Sequence, residues 1–181
     1  MSLHIIAGPM KSGKSLELIA RVAPYQFSDI PVGFYQPERN IRDLEISSRS
    51  GSKAAAKKIK KLANITQTKG VIGIDEIHMF EPEEVAVIEK WLKQGLEVYI
   101  SGLDLNYQGH LMPTMQRLLE LGPDTVTFKQ AVCEQCKRYA ASFTQILKDG
   151  SVVTSNLPDV VPEDGTYVYE PRCRDCFVRS V

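Results

Sequence analysis

Residues 8–15 read Gly8-Pro9-Met10-Lys11-Ser12-Gly13-Lys14-Ser15, directly after the apolar run Leu3-His4-Ile5-Ile6-Ala7. Glycine, four intervening residues, then Gly-Lys-Ser is the spacing of a phosphate-binding loop. Gly8 and Gly13 let the backbone turn tightly enough for successive N–H groups to face phosphate oxygens. Lys14 reaches β- and γ-phosphates, and the Ser15 hydroxyl is placed to ligate Mg²⁺. Ser15-Leu16-Glu17-Leu18-Ile19 then opens a helix whose positive N-terminus faces the anion. Strand, loop and helix come in the order that the chemistry requires.

Outward from this loop, residues 1–125 alternate strand-like and helix-like stretches. Leu3–Ala7, Pro31–Tyr35, Val71–Asp75, Leu96–Ser101 and Thr125–Val132 read as strands. Ser15–Tyr25, Glu83–Gln94 (Pro82 before it, Gly95 after it) and Met115–Leu121 read as helices. Alternation of this kind predicts an α/β fold with a mostly parallel sheet flanked by helices. Residues 38–69 differ. They are polar and carry Lys53, Lys57, Lys58, Lys60 and Lys61, and the spacing of Ala54, Ala55, Ala56, Ile59 and Leu62 predicts a helix with a solvated lysine face.

The chain has 181 residues, 43% hydrophobic and 24% charged, with a formal net charge of zero. That length can bury one good core, or one core plus a small appendix. Charge neutrality argues against a nucleic-acid backbone or an anionic membrane as the main partner. No apolar run approaches the roughly 20 residues of a membrane span. The N-terminal apolar stretch is too short for a signal peptide, so a cytoplasmic location is expected, where thiols stay reduced.

The texture changes after residue 132. Cys133-Glu134-Gln135-Cys136 and Cys173-Arg174-Asp175-Cys176 flank a strand-rich segment, with Ser142–Leu147 and Ser151–Ser155 joined across Lys148-Asp149-Gly150. Paired C-x-x-C knuckles in this setting are the pattern of a zinc ribbon. A redox dithiol would present a single C-x-x-C opening a helix, and paired disulfides conflict with a reducing compartment. Four thiolates on Zn²⁺ leave no open coordination position, so the expected metal is structural. The expected division is a phosphate-loop domain over 1–132 and a ribbon over 133–181.

A second phosphate-chemistry signal is Asp75-Glu76 at the end of Val71–Ile74. Asp75 fits the carboxylate that holds Mg²⁺ in phosphate-loop enzymes. Glu76, one residue further along the ligand-binding edge of the sheet, is placed to accept a proton from an attacking hydroxyl. His78 nearby reads as structural.

Together, Gly8–Ser15, Val71-Ile72-Gly73-Ile74-Asp75-Glu76-Ile77-His78-Met79-Phe80, Gly102-Leu103-Asp104 and the paired knuckles resemble, in order and along nearly the whole chain, the type II (zinc-containing) thymidine kinases. That resemblance implies a phosphate-loop domain carrying a zinc-ribbon lasso that closes over thymine, and transfer of the γ-phosphate of ATP to the 5′-hydroxyl of deoxythymidine. It implies ATP and Mg²⁺ binding by Gly8, Ser12, Gly13, Lys14, Ser15, Arg42 and Asp75. Glu76 matches the catalytic base. Met10, Phe80, Leu103 and Tyr107 match positions lining the thymine pocket, Tyr107 standing where phenylalanine is usual, and Tyr169 matches a lasso tyrosine. Cys133, Cys136, Cys173 and Cys176 match the zinc ligands. A homotetramer inhibited by thymidine triphosphate is also implied, with neither membrane nor nucleic acid as partner.

The chain departs from the family pattern at Asn40, where the family has an acid, and at Ser48-Arg49, where it has Ser-His. Asn106-Tyr107-Gln108-Gly109 replaces an Asp-Phe-Arg-Gly-type run, and Asp164, Gly165 and Tyr167 stand in a Gly-Gly-x-Asp pattern. These changes leave two alternatives open. One is a kinase for a different nucleoside; the other is a phosphate-loop ATPase or regulatory module with the ribbon as a docking surface.

Overall fold

The computed structural model describes residues 1–40, 45–47, 51–161 and 165–179. The strands are β1 (Ser2–Ala7), β2 (Val32–Pro37), β3 (Ile46–Ser47), β4 (Lys53–Ala54), β5 (Lys57–Ile59), β6 (Val71–Ile74), β7 (Glu97–Gly102), β8 (Thr125–Phe128), β9 (Ala131–Val132), β10 (Tyr139–Ala141), β11 (Phe143–Lys148), β12 (Ser151–Val153) and β13 (Val168–Arg172). The α-helices are α1 (Lys14–Val22), α2 (Val85–Lys93) and α3 (Pro113–Glu120). A six-stranded sheet in the order β5-β2-β6-β7-β1-β8 forms the centre. Each of its pairings is parallel.

The inner strands β1 and β6 are buried on both faces, and the side-chain alternation shows it. Leu3, Ile5 and Ala7 of β1 join one core cluster while Ile6 joins another; in β6, Ile72 and Ile74 enter the first and Val71 the second. Helix α1 covers the second cluster with Leu18, Ile19 and Val22. Helices α2 and α3 cover the first with Val85, Ile88, Trp91, Met115 and Leu118. Full burial of each such side chain contributes about 1.5–3 kcal/mol. Helix α2 stops where Gly95 adopts φ 90°; its N–H then reaches Leu92 O at 2.9 Å and the Leu96 N–H reaches Trp91 O at 3.1 Å. That is a Schellman closure, which the glycine permits without a Cβ penalty.

Two sequence expectations are corrected. The lysine-rich stretch is not a helix. Lys53–Ala54 pairs with Ile46–Ser47, and Lys57–Ile59 adds a parallel edge strand to β2. Ala54 is buried and 56 and 58 are half-buried, while 55 and 57 are exposed, which is the alternation of extended chain. A turn of 3₁₀ helix follows at Leu62–Asn64. The expected strand Thr125–Val132 divides: Thr125–Phe128 closes the central sheet beside β1, and Ala131–Val132 pairs instead with Tyr139–Ala141.

The C-terminal ribbon contains the sheet β12-β11-β13. The expected hairpin is present, with Lys148 opposite Ser151 and positive φ at both Asp149 (50°) and Gly150 (76°). Two successive left-handed residues match the right-handed twist of the flanking strands. Among the described residues no helix is long and apolar enough to cross a membrane.

Candidate active site

The carboxyl ends of β1, β6 and β7 open onto one edge of the sheet, because all three run parallel. From β1 the chain enters the phosphate loop. Gly8 has φ 146°, and a Cβ there would lie 2.5 Å from Lys129 O, so this position demands glycine for both dihedral and contact. Gly13 caps α1 in the left-handed region, with no side chain occupying the helix N-terminus. The amides of the first turn therefore face the loop. The Lys14 ammonium folds back and donates to Pro9 O at 2.7 Å. Ser12 Oγ is buried without a hydrogen-bond partner inside the loop, a polar atom that a phosphate oxygen would satisfy.

From β6 come Asp75 and Glu76. Asp75 is buried; it accepts a hydrogen bond from Ser101 on neighbouring β7, and Ser15 at the start of α1 stands close enough to favour its charged form. Burial, and next the Glu76 charge, push its carboxyl up to about 6, partly offset by Ser101, Ser15 and Lys14. The two phosphate-chemistry signals of the sequence, Ser15 and Asp75, are thus neighbours at this edge of the sheet. Hard oxygen donors of this kind fit an Mg²⁺ shell.

Glu76 holds φ 53°, ψ 41°, a left-handed conformation unusual for a residue with a Cβ. It breaks the strand and starts the short 3₁₀ turn Ile77–Met79, and its carboxylate is buried. Glu76 Oε2 lies 3.5 Å from His78 Nδ1, which itself accepts the Leu103 N–H at 3.2 Å. His78, expected as structural, thus touches both the Glu76 carboxylate and the Leu103 backbone.

The next cavity is lined by Met10, His78, Leu103, Tyr107, Ile146 and Tyr169, among others. It brings together Met10, Leu103, Tyr107 and Tyr169 of the expected nucleoside set. Phe80 instead packs in the core under α2 and α3, its carbonyl accepting from Thr114 Oγ1 at 2.6 Å. A larger opening of about 540 Å³, lined by Asp104, Thr127, Phe128, Lys129, Gln130 and Tyr139, adjoins the phosphate loop. Burial raises the carboxyl of Asp104, with the Lys14 charge opposing. Arg42, Ser48, Arg49 and Asp164 lie outside the described residues.

Several residues escaped the sequence reading. Thr144 on β11 accepts the Met10 N–H at 3.0 Å, and Lys11 forms an ion pair with Glu134. Ser101 orients Asp75. Each is a contact across distant chain, with no local signal. Asn40 is buried with its amide donating to Gln36 Oε1 at 3.0 Å.

The thiols of Cys133, Cys136, Cys173 and Cys176 lie within 4.8 Å of one another, and Cys136 Sγ is 3.7 Å from Cys173 Sγ. A tetrahedron with metal–sulfur bonds of about 2.3 Å has edges of about 3.8 Å, so the cluster fits one Zn²⁺. The Arg138 guanidinium, 3.5 Å from Cys136 Sγ, leads the effects that hold that thiol down to about 6, favouring the thiolate that a metal needs.

The sequence model of the thymidine kinase family matches residues 1–177. Thymidine kinases of Chloroflexus aurantiacus strains J-10-fl and Y-400-fl are each 32% identical over 187 residues, covering 99% of this chain and 95% of their own. That of Thermococcus kodakarensis is 32% identical over 184 residues, covering 96% of this chain and 92% of its own.

Proposed function

Because the chain belongs to the thymidine kinase family, we propose that it transfers the γ-phosphoryl group of ATP to the 5′-hydroxyl of thymidine, giving dTMP for DNA precursor synthesis in the cytoplasm. The observation that carries this reading is the convergence of Ser15, Asp75 and Glu76 beside a cavity lined by Met10, Leu103, Tyr107 and Tyr169.

The amides of residues 8–15 and the Lys14 ammonium bind the β- and γ-phosphates, with Arg42 contributing charge and the Ser12 hydroxyl donating to a phosphate oxygen. Ser15 and Asp75 would hold Mg²⁺, which when bound would supply positive charge to the phosphates. Glu76 accepts the 5′-hydroxyl proton as that oxygen attacks phosphorus in line, and the leaving oxygen stays with ADP. The buried setting of Glu76 excludes water that would compete as nucleophile. Met10, Leu103, Tyr107 and Tyr169 enclose the base, with Phe80 supporting the pocket from the core. Cys133, Cys136, Cys173 and Cys176 hold a structural Zn²⁺ that fixes the ribbon. A homotetramer under feedback by thymidine triphosphate belongs to the same reading.

The test is ADP release from Mg-ATP with and without thymidine, with dTMP identified directly. Thymidine-dependent release with dTMP formed is expected. Release indifferent to thymidine, but stimulated by another nucleoside in a panel, overturns the substrate assignment; release indifferent to every nucleoside overturns the kinase.

A further inference from the structure

The run Asn106-Tyr107-Gln108 departs from the family pattern, and each of its side chains bonds to a single segment on the ribbon side of the cavity. The Tyr107 hydroxyl donates to Leu157 O at 3.1 Å and accepts from the Leu157 N–H at 3.2 Å. Asn106 Nδ2 donates to Asp159 Oδ1 at 2.6 Å. Gln108 Nε2 donates to Thr154 O at 3.3 Å. From the opposite side, the Tyr169 hydroxyl donates to Val161 O at 3.0 Å. Residues 154–161 are thereby tied at four points around the cavity that Tyr107 and Tyr169 line.

These bonds are oriented by their surroundings. Asn106 Oδ1 accepts the N–H groups of Gln108 and His110, each at 3.0 Å, which leaves its amide nitrogen aimed at Asp159. The ring of Tyr107 is buried in a cluster with Ile146 and Val161, against which Leu157 packs. A phenylalanine would fill that space equally well. It would not hold the main chain of Leu157.

We infer that Asn106, Tyr107 and Gln108 form a latch that pre-orders residues 154–161 over the nucleoside cavity, with the Tyr107 hydroxyl as a positioning group for the nucleoside. The inference rests on the thymidine kinase reading for its substrate. A segment ordered before binding loses little further conformational freedom when the nucleoside arrives, so the latch raises nucleoside affinity without touching the reacting atoms. It acts on thymidine and leaves the ATP side of the site alone.

Tyr107→Phe keeps the ring and deletes both Leu157 bonds. A lost hydrogen bond corresponds to about a 2- to 12-fold change in an equilibrium. The expected result is a KM for thymidine raised by about 10-fold, a KM for ATP within about twofold, and amide exchange at Leu157 accelerated by about 10-fold in protein without nucleoside. Asn106→Asp keeps the acceptor for Gln108 and His110 but sets a carboxylate against Asp159, and it is expected to raise the thymidine KM similarly. Asp159→Asn alone keeps an acceptor for Asn106; because Asp159 itself lines the cavity, this variant is the reference for the double variant. The double variant Asn106→Asp/Asp159→Asn restores a donor–acceptor pair in reverse and recovers the KM of that reference.

Unchanged Leu157 exchange in Tyr107→Phe overturns the latch, as does a thymidine KM that does not move. Parallel rises in the KM for thymidine and ATP, or a double variant no better than Asn106→Asp, also overturn it. Failure of the kinase reading is distinguishable, because wild-type protein would then show no thymidine-dependent ADP release, whereas Leu157 exchange reads the latch without any substrate.

Discussion

Asp75 costs the fold stability in proportion to how well it is placed for a cation. Burial, then the neighbouring Glu76 charge, raise its carboxyl from 3.8 to about 6. Between those values the folded chain keeps a proton that the unfolded chain has released, so stability falls as pH rises through this window. At about 1.36 kcal/mol per pH unit, the accumulated cost above pH 6 is about 3 kcal/mol. Asp75→Asn removes the ionisation while keeping an acceptor for Ser101. In protein free of Mg²⁺ and nucleotide, the variant is expected to be more stable than wild type by about 3 kcal/mol at pH 8, and by about half as much at pH 5. For a chain of this length the pH 8 difference corresponds to roughly 6–12 °C in Tm. Thermal or urea unfolding of both proteins from pH 5 to 8 measures it. Both carry the same cysteines, so acid effects on a bound metal cancel in the difference. The variant should also be inactive. An Asn variant less stable than wild type at pH 8, or a difference that ignores pH, would refute the reasoning.

Glu76→Gln is expected to leave ATP affinity unchanged and lower kcat about 10²- to 10⁴-fold, measured by calorimetry and single-turnover phosphate transfer; wild-type turnover would remove Glu76 from its role. Protein purified with reductant should contain about one zinc per chain by elemental analysis, and Cys173→Ser should lose that zinc and lower Tm by roughly 10 °C or more.

What the sequence made legible was short-range and chemically constrained. The phosphate loop declares itself because Gly8 and Gly13 hold backbone angles that other residues resist, and because the loop must lie between a buried strand and a helix. Val71–Ile74 was readable as a strand because it is buried on both faces and its apolar run is unbroken. The knuckles were readable from spacing. Residues 53–62 misled because alanine and lysine favour helix locally, whereas pairing to β2 and β3 decides the outcome. Thr144 on the Met10 amide is 134 residues away in sequence, and Ser101 on Asp75 is 26 away. No periodicity encodes such pairs. Tyr107 was visible as an aromatic wall, but its hydroxyl had meaning only once Leu157 was placed beside it.

The ties from the phosphate loop to the ribbon have a consequence for recombination. Met10 bonds to Thr144 and Lys11 pairs with Glu134, so residues at consecutive loop positions depend on partners from the other end of the chain. A crossover with a distant relative near residue 132 would inherit the loop from one parent and its buttress from the other. Such hybrids should survive mainly when both parents carry compatible residues at 10, 11, 134 and 144, and these four positions are therefore expected to travel together as a single heritable unit.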